Sequence, residues 1–197
     1  MTSDTMPLGK QALRKKLRAE RREHVAALPK AVRALVFSRP PAAALTLVPD
    51  GATIGLYSPG EGEAPTVGYA RWFHEIGYAL ALPWFSERDS RMEFRRWNDP
   101  YADDALESGP YSHSQPRPDA PTAQPDVLFV PLIGFTASGD RLGQGGGHYD
   151  RWLEAHPDVP AIGLAWDCQR VDALPAEPHD RKLAMIVTPT RAYTGEE

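Results

Sequence analysis

The stretch from Gly139 to Trp152 reads GDRLGQGGGHYDRW, and four of the five residues from Gly143 to Gly147 are glycine. Glycine loses more backbone freedom on folding than any other residue, so this concentration marks a place that needs bare backbone. Upstream, Asp126–Leu132 (DVLFVPL) is apolar on both faces, the pattern of a central buried strand. Downstream, Tyr149–Ala155 reads as a short helix. In sheets built from strand–turn–helix units, ligands bind beyond the carboxyl ends of the strands. Glycines there let N–H groups converge on an anion, and the helix N-terminus adds favourable partial charge. Phosphate is the expected guest, and a tight turn with close strand–helix packing is the other reading. The dinucleotide pattern GxGxxG fails because His148 stands where a small residue is needed. The GxxxxGK[ST] pattern fails for want of its Lys.

The rest of the chain supports an α/β fold. Ala52–Tyr57, Tyr78–Trp84, Asp126–Leu132, Ala161–Trp166 and Ala184–Thr188 read as strands, with Met92–Trp97 as a shorter one. Lys10–Leu28, Ala31–Leu47 and Thr66–Ile76 read as helices, the second weakened by Pro40-Pro41. Short apolar strands alternating with helices predict a three-layer α/β/α arrangement around a mostly parallel sheet. Six prolines between Pro100 and Pro125 predict a long loop there. With 197 residues, the expectation is a single domain carrying a basic N-terminal helix (10–28) and this Pro-rich loop (100–125). No segment has the apolar run of a signal peptide or membrane span, which predicts a cytoplasmic protein without membrane contacts. A monomer is expected. The lone Cys168 allows no internal disulfide and reads as a structural thiol rather than a nucleophile.

Charge is unevenly placed. The segment Lys10–Glu23 holds seven basic and two acidic residues, leaving −9 for the remainder of a chain whose net charge is −4. Leu13, Leu17, His24 and Leu28 share one face of the predicted helix, and Lys10 and Arg14 sit at its edge, beside the body. Arg18 lies farther round and reads as solvated. A basic helix can also bind a polyanion such as RNA, but it lacks interleaved aromatics and the body is acidic, so no nucleic-acid partner is expected.

Arg141, two residues before the glycines, can balance phosphate charge. Asp150 beside a phosphate cradle makes sense if a divalent cation sits between the two anions. It can equally favour the helix dipole from the first turn. Asp180, in a turn before the last predicted strand, offers a second carboxylate. His148 is open between a phosphate contact, an acid–base group and a packing residue.

These pieces together resemble the 5-formyltetrahydrofolate cyclo-ligase family, also called methenyltetrahydrofolate synthetases. The resemblance is carried by KQALRKKLRAERRE, LYSPGEGEAPT, VPLIGFTASGDRLGQGGGHYDRWL and IGLAWDCQ…LPAEPHDRKLAMIVTP, in that order over nearly the whole chain. It implies a three-layer α/β/α sandwich of the type shared with sugar-phosphate isomerases and CoA transferases. It implies ATP-dependent closure of 5-formyltetrahydrofolate to 5,10-methenyltetrahydrofolate, with ADP and phosphate released and Mg²⁺ required. A paralogue acting on another folate-like or thiamine-related substrate is the alternative. The resemblance places ATP contacts on Lys10, Arg14, Arg141, Leu142, Gly143, Gln144, Gly145, Gly146, Gly147, His148 and Tyr149. It places substrate contacts on Glu63 and on Gln144 to His148, metal ligands on Asp150 and Asp180, and catalytic roles on Arg141, His148 and Tyr149. The family commonly has tyrosine where this chain has His148.

Overall fold

The computed structural model describes residues 9–102, 106–175 and 181–195. The helices are α1 (Lys10–Ala27), α2 (Lys30–Leu35), α3 (Ala42–Leu45), α4 (Val67–Glu75) and α5 (His148–Ala155). The strands are β1 (Thr53–Gly55), β2 (Ala79–Trp84), β3 (Glu93–Arg96), β4 (Leu106–Ser108), β5 (Ser114–Pro116) and β6 (Val127–Pro131). They continue as β7 (Gly134–Phe135), β8 (Arg141–Leu142), β9 (Ala161–Leu164), β10 (Met185–Val187) and β11 (Ala192–Tyr193).

Seven strands form one sheet in the order β11-β10-β9-β6-β1-β2-β3. The five inner strands pair in parallel and the two edge strands pair antiparallel. β6 lies at the centre and all five of its residues are buried, as a run apolar on both faces requires. Its side chains alternate: Val127 and Phe129 pack into one core, Leu128 and Val130 into the other. The first core includes Tyr69, Ala70 and Phe73 of α4, and the second includes Trp152 and Leu153 of α5. Helices therefore cover both faces of a mostly parallel sheet, the expected three layers.

Three differences from the sequence expectation have physical causes. The second predicted helix breaks into α2 and α3 around Pro40-Pro41, where the missing N–H interrupts the ladder. The Pro-rich segment is not loop throughout, because β4 and β5 pair antiparallel within it, Leu106 opposite Pro116 and Ser108 opposite Ser114. That arm is fastened by side chains. The Arg95 guanidinium lies 3.8 Å over the Trp84 ring and donates to the Ala120 carbonyl at 2.9 Å. Buried Gln115 exchanges two bonds with the Phe85 backbone, donating to its carbonyl at 3.1 Å and accepting from its N–H at 3.2 Å. Finally, the chain after β6 folds back as the antiparallel pair β7–β8, a hairpin too short to leave a periodic signal. Its turn is tied by Asp140, which accepts from Thr136 and Ser138 hydroxyls at 2.9 and 2.8 Å.

Among the described residues, no helix is long and apolar enough to cross a membrane.

Candidate active site

The hairpin β7–β8 delivers the glycine stretch to the carboxyl end of the sheet. Buried Gln169 holds its base by donating to the Leu132 and Ile133 carbonyls at 2.8 and 3.0 Å. Beyond β8 the chain turns through Gly143–Gly147 into α5. Gly145 has φ +106° and Gly147, the residue capping α5, has φ +64°. Both values lie where a side chain is strained, so these two glycines are required by the path of the turn.

Helix α1 lies across this turn. Leu17 packs against Ile133 and Leu142, with Leu13 beside them. That contact turns positions 14, 18 and 21, which share an arc of about 60° on the helix, toward the turn. Arg14 Nε donates to the Gly143 carbonyl at 2.9 Å. Arg18 is not merely solvated: its Nη2 donates to the Gln144 carbonyl at 3.1 Å and to Gln144 Oε1 at 2.9 Å. The wheel argument missed it because a solvated face and a face docked on a distant turn have the same spacing. Arg21 is buried, with Nη2 donating to the Glu61 carbonyl at 3.3 Å and Nη1 3.7 Å from Glu63 Oε1. Nothing in the sequence distinguishes Arg21 from its solvated neighbours.

The turn after β1 forms the opposing wall. Tyr57 donates its hydroxyl to the Ala64 carbonyl at 2.6 Å, and Thr66 donates to the Tyr57 carbonyl at 2.8 Å. Trp166 Nε1 reaches the Gly62 carbonyl at 2.9 Å. Within this frame, Glu63 Oε2 accepts the Gly60 N–H at 2.9 Å. Burial pushes the Tyr57 hydroxyl well above its ordinary pKa, so it remains a donor. The Tyr149 hydroxyl is also raised, by burial first and by the nearby Glu63 charge. Tyr149 can donate a hydrogen bond at neutral pH but cannot act there as a base.

These elements enclose a cleft of about 620 Å³. Lys10, Arg14, Glu63, the whole run Arg141–Tyr149 and Asp150 all line it. Asp180 lies outside the described residues. Among the described residues the cleft wall carries five cations (Lys10, Arg14, Arg21, Arg141 and Arg181) against three carboxylates (Glu61, Glu63 and Asp150). That balance favours an anionic guest.

Asp150 sits in the first turn of α5, and its Oδ1 is ion-paired with Arg141 Nη2. Among the described residues no group of three or more His, Cys, Asp or Glu is placed to hold a metal by itself. A partly exposed carboxylate beside the glycine turn nevertheless suits Mg²⁺, which is commonly held by one or two carboxylates together with substrate phosphates.

The Pro-rich arm closes the side of the cleft, which the sequence did not reveal. Tyr111, His113, Ser114 and Gln115 line it. Three rings meet there: His148 is 4.9 Å from Phe85 and 5.3 Å from Tyr111, and Phe85 is 5.0 Å from Tyr111, all edge-on. His148 Nδ1 lies 3.1 Å from Arg151 Nη2. Burial, then the Arg151 charge, holds the His148 pKa below its ordinary value.

A family model described as the 5-formyltetrahydrofolate cyclo-ligase family matches residues 8–189. The 5-formyltetrahydrofolate cyclo-ligase of Escherichia coli (strain K12) is 44% identical over 75 residues, 37% of this chain and 41% of that protein. The match thus spans about two fifths of that relative's length. The 5-formyltetrahydrofolate cyclo-ligase of Mycolicibacterium smegmatis is 29% identical over 146 residues, 72% of this chain and 75% of that protein. The NMR structure of 5,10-methenyltetrahydrofolate synthetase from Aquifex aeolicus superposes with a TM-score of 0.72 at 25% identity, covering 95% of this chain and 93% of that one. A 5,10-methenyltetrahydrofolate synthetase from Mycoplasma pneumoniae superposes with a TM-score of 0.66 at 28% identity, covering 91% of this chain and 98% of that one.

Proposed function

The chain belongs to the 5-formyltetrahydrofolate cyclo-ligase family, and from that premise we propose that it converts 5-formyltetrahydrofolate and ATP to 5,10-methenyltetrahydrofolate, ADP and phosphate. The observation that carries this reading is the meeting in one cleft of Lys10, Arg14, the glycine turn, Asp150 and Glu63, from three separate parts of the chain.

The formyl group on N5 is an amide, so its carbon is a poor electrophile and its oxygen a poor leaving group. In the proposed route that oxygen attacks the γ-phosphorus of ATP and ADP departs. N10 then attacks the activated carbon and loses its proton. Phosphate leaves with the former formyl oxygen, and the five-membered ring closes as a methenyl cation. This chemistry asks the protein mainly for position and charge. Gly143, Gly145, Gly146 and Gly147 give the phosphates an approach without Cβ atoms at these four positions. Lys10, Arg14 and Arg141 offset their charge. Glu63 receives the N–H edge of the folate ring, and the Tyr149 hydroxyl stays protonated as a donor. His148 acts as a neutral ring in the aromatic wall.

Asp150 and Asp180 are the residues that would hold Mg²⁺, which when bound neutralises charge on the ATP phosphates. The Asp150 carboxylate is ion-paired with Arg141, and both line the cleft.

The route is tested with substrate carrying ¹⁸O in the formyl group. The label is expected in inorganic phosphate after single turnover. Label released as water or formate would contradict phosphoryl transfer to the formyl oxygen.

A further inference from the structure

Glu63 lines the cleft, yet its side chain is only 6% exposed. What covers it is informative. Its Oε2 is taken by the Gly60 N–H. Its Oε1 accepts a hydrogen bond from Gln144 Nε2, the one long side chain within the glycine turn. Gln144 is itself exposed, and Arg18 grips it at two points, the carbonyl and Oε1. Arg21 Nη1 stands 3.7 Å from Glu63 Oε1, beyond hydrogen-bond reach, and makes no hydrogen bond. The carboxylate is therefore capped from the cleft side by a carboxamide N–H. A folate ring presents the same kind of donor, an amine beside a lactam N–H. The two cannot occupy Oε1 from the same side at once.

We propose that Gln144 sets how tightly the site takes its folate ring, by competing with the ring's N–H groups for Glu63, and that Arg18 is the positioning residue that holds Gln144 in that contact. The proposal rests on the reading that Glu63 receives the substrate ring. It assigns opposite tasks to the two parts of residue 144. Its backbone belongs to the phosphate turn, while its side chain opposes folate entry until the ring displaces it. Arg18 acts through Gln144 and touches neither ligand. Its guanidinium lies among cations: burial first, then Arg21 and Arg14, lower its pKa. A carbonyl oxygen and a carboxamide oxygen are apt partners for a cation so placed.

The test is calorimetric titration of 5-formyltetrahydrofolate into the full chain and three variants. Gln144→Met keeps the side-chain bulk but removes the donor, at an exposed position where folding is unaffected. Losing one charge-assisted competitor at an exposed edge is expected to tighten binding about three- to tenfold. The KM for folate should fall by the same factor while the KM for ATP stays put, a split that a merely structural residue would not produce. Arg18→Lys keeps the charge and loses the two-point grip; it should tighten binding about twofold, and add nothing in the Gln144→Met background. Glu63→Gln should weaken binding at least tenfold. If Glu63→Gln weakens binding but Gln144→Met binds no tighter than wild type, the competition is wrong and the folate site stands. If Glu63→Gln binds as wild type does, Glu63 does not receive the ring and both readings fall.

Discussion

The two walls that meet at His148 are built by different means. The glycine turn takes its shape from backbone geometry, with Arg14 and Arg18 donating to its carbonyls: β6 and the hairpin β7–β8 fix its start, α5 fixes its end, and Gly145 and Gly147 bend it through positive φ. The Pro-rich arm is held by side chains, chiefly Gln115 on Phe85 and Arg95 on Trp84 and Ala120. The first kind of wall tolerates no change of shape and contributes chemistry. The second can be loosened in steps. Changes to the turn's backbone path should therefore abolish function, whereas changes in the arm should lower stability and leave function largely intact.

Gly145→Val is the severest test. A built Cβ at Gly145 would lie 3.6 Å from the Arg14 guanidinium, and φ +106° is a conformation that a branched residue rarely adopts. ADP binding by calorimetry should be lost. Wild-type ADP affinity would remove the cradle. Asp150→Asn comes next, with kcat down about a hundredfold or more and circular dichroism unchanged. Full activity at limiting Mg²⁺ would show that Asp150 only pairs with Arg141.

Smaller effects belong to the arm. Gln115→Ala leaves the Phe85 N–H and carbonyl without their partner, at a cost of about 1–3 kcal/mol of stability. The melting temperature should drop, with kcat changed by less than about threefold. A hundredfold loss of kcat would mean that the arm supplies chemistry, and the contrast between the walls would fail. His148→Tyr should be mildest. The residue is held neutral and sits among rings, so KM and kcat should move by no more than about threefold; a proton-transfer role would be worth about a hundredfold or more.

The same contrast decides what could be read from the chain alone. The turn is local in sequence, so its glycines, Arg141 and Asp150 announce themselves within ten residues. The central strands are equally legible, because burial on both faces leaves an uninterrupted apolar run, as in Val127–Pro131. The arm depends on partners about 30 residues away, and a Gln among prolines carries no sign that it will clasp Phe85. Arg18 and Arg21 illustrate the limit differently. Their spacing puts them on one helix face, but only the packing of Leu17 on Ile133 and Leu142 decides that this face meets the cleft. The edge strand β11 and the hairpin β7–β8 are two residues per strand, shorter than any periodicity can reveal.

The central claim, that one cleft couples ATP to ring closure of a formylated folate, is tested most directly by following methenyltetrahydrofolate absorbance with purified protein and 5-formyltetrahydrofolate. The account predicts a rise that requires both ATP and Mg²⁺ and is matched mole for mole by ADP. A flat trace, with a known cyclo-ligase active in the same buffer, would contradict it.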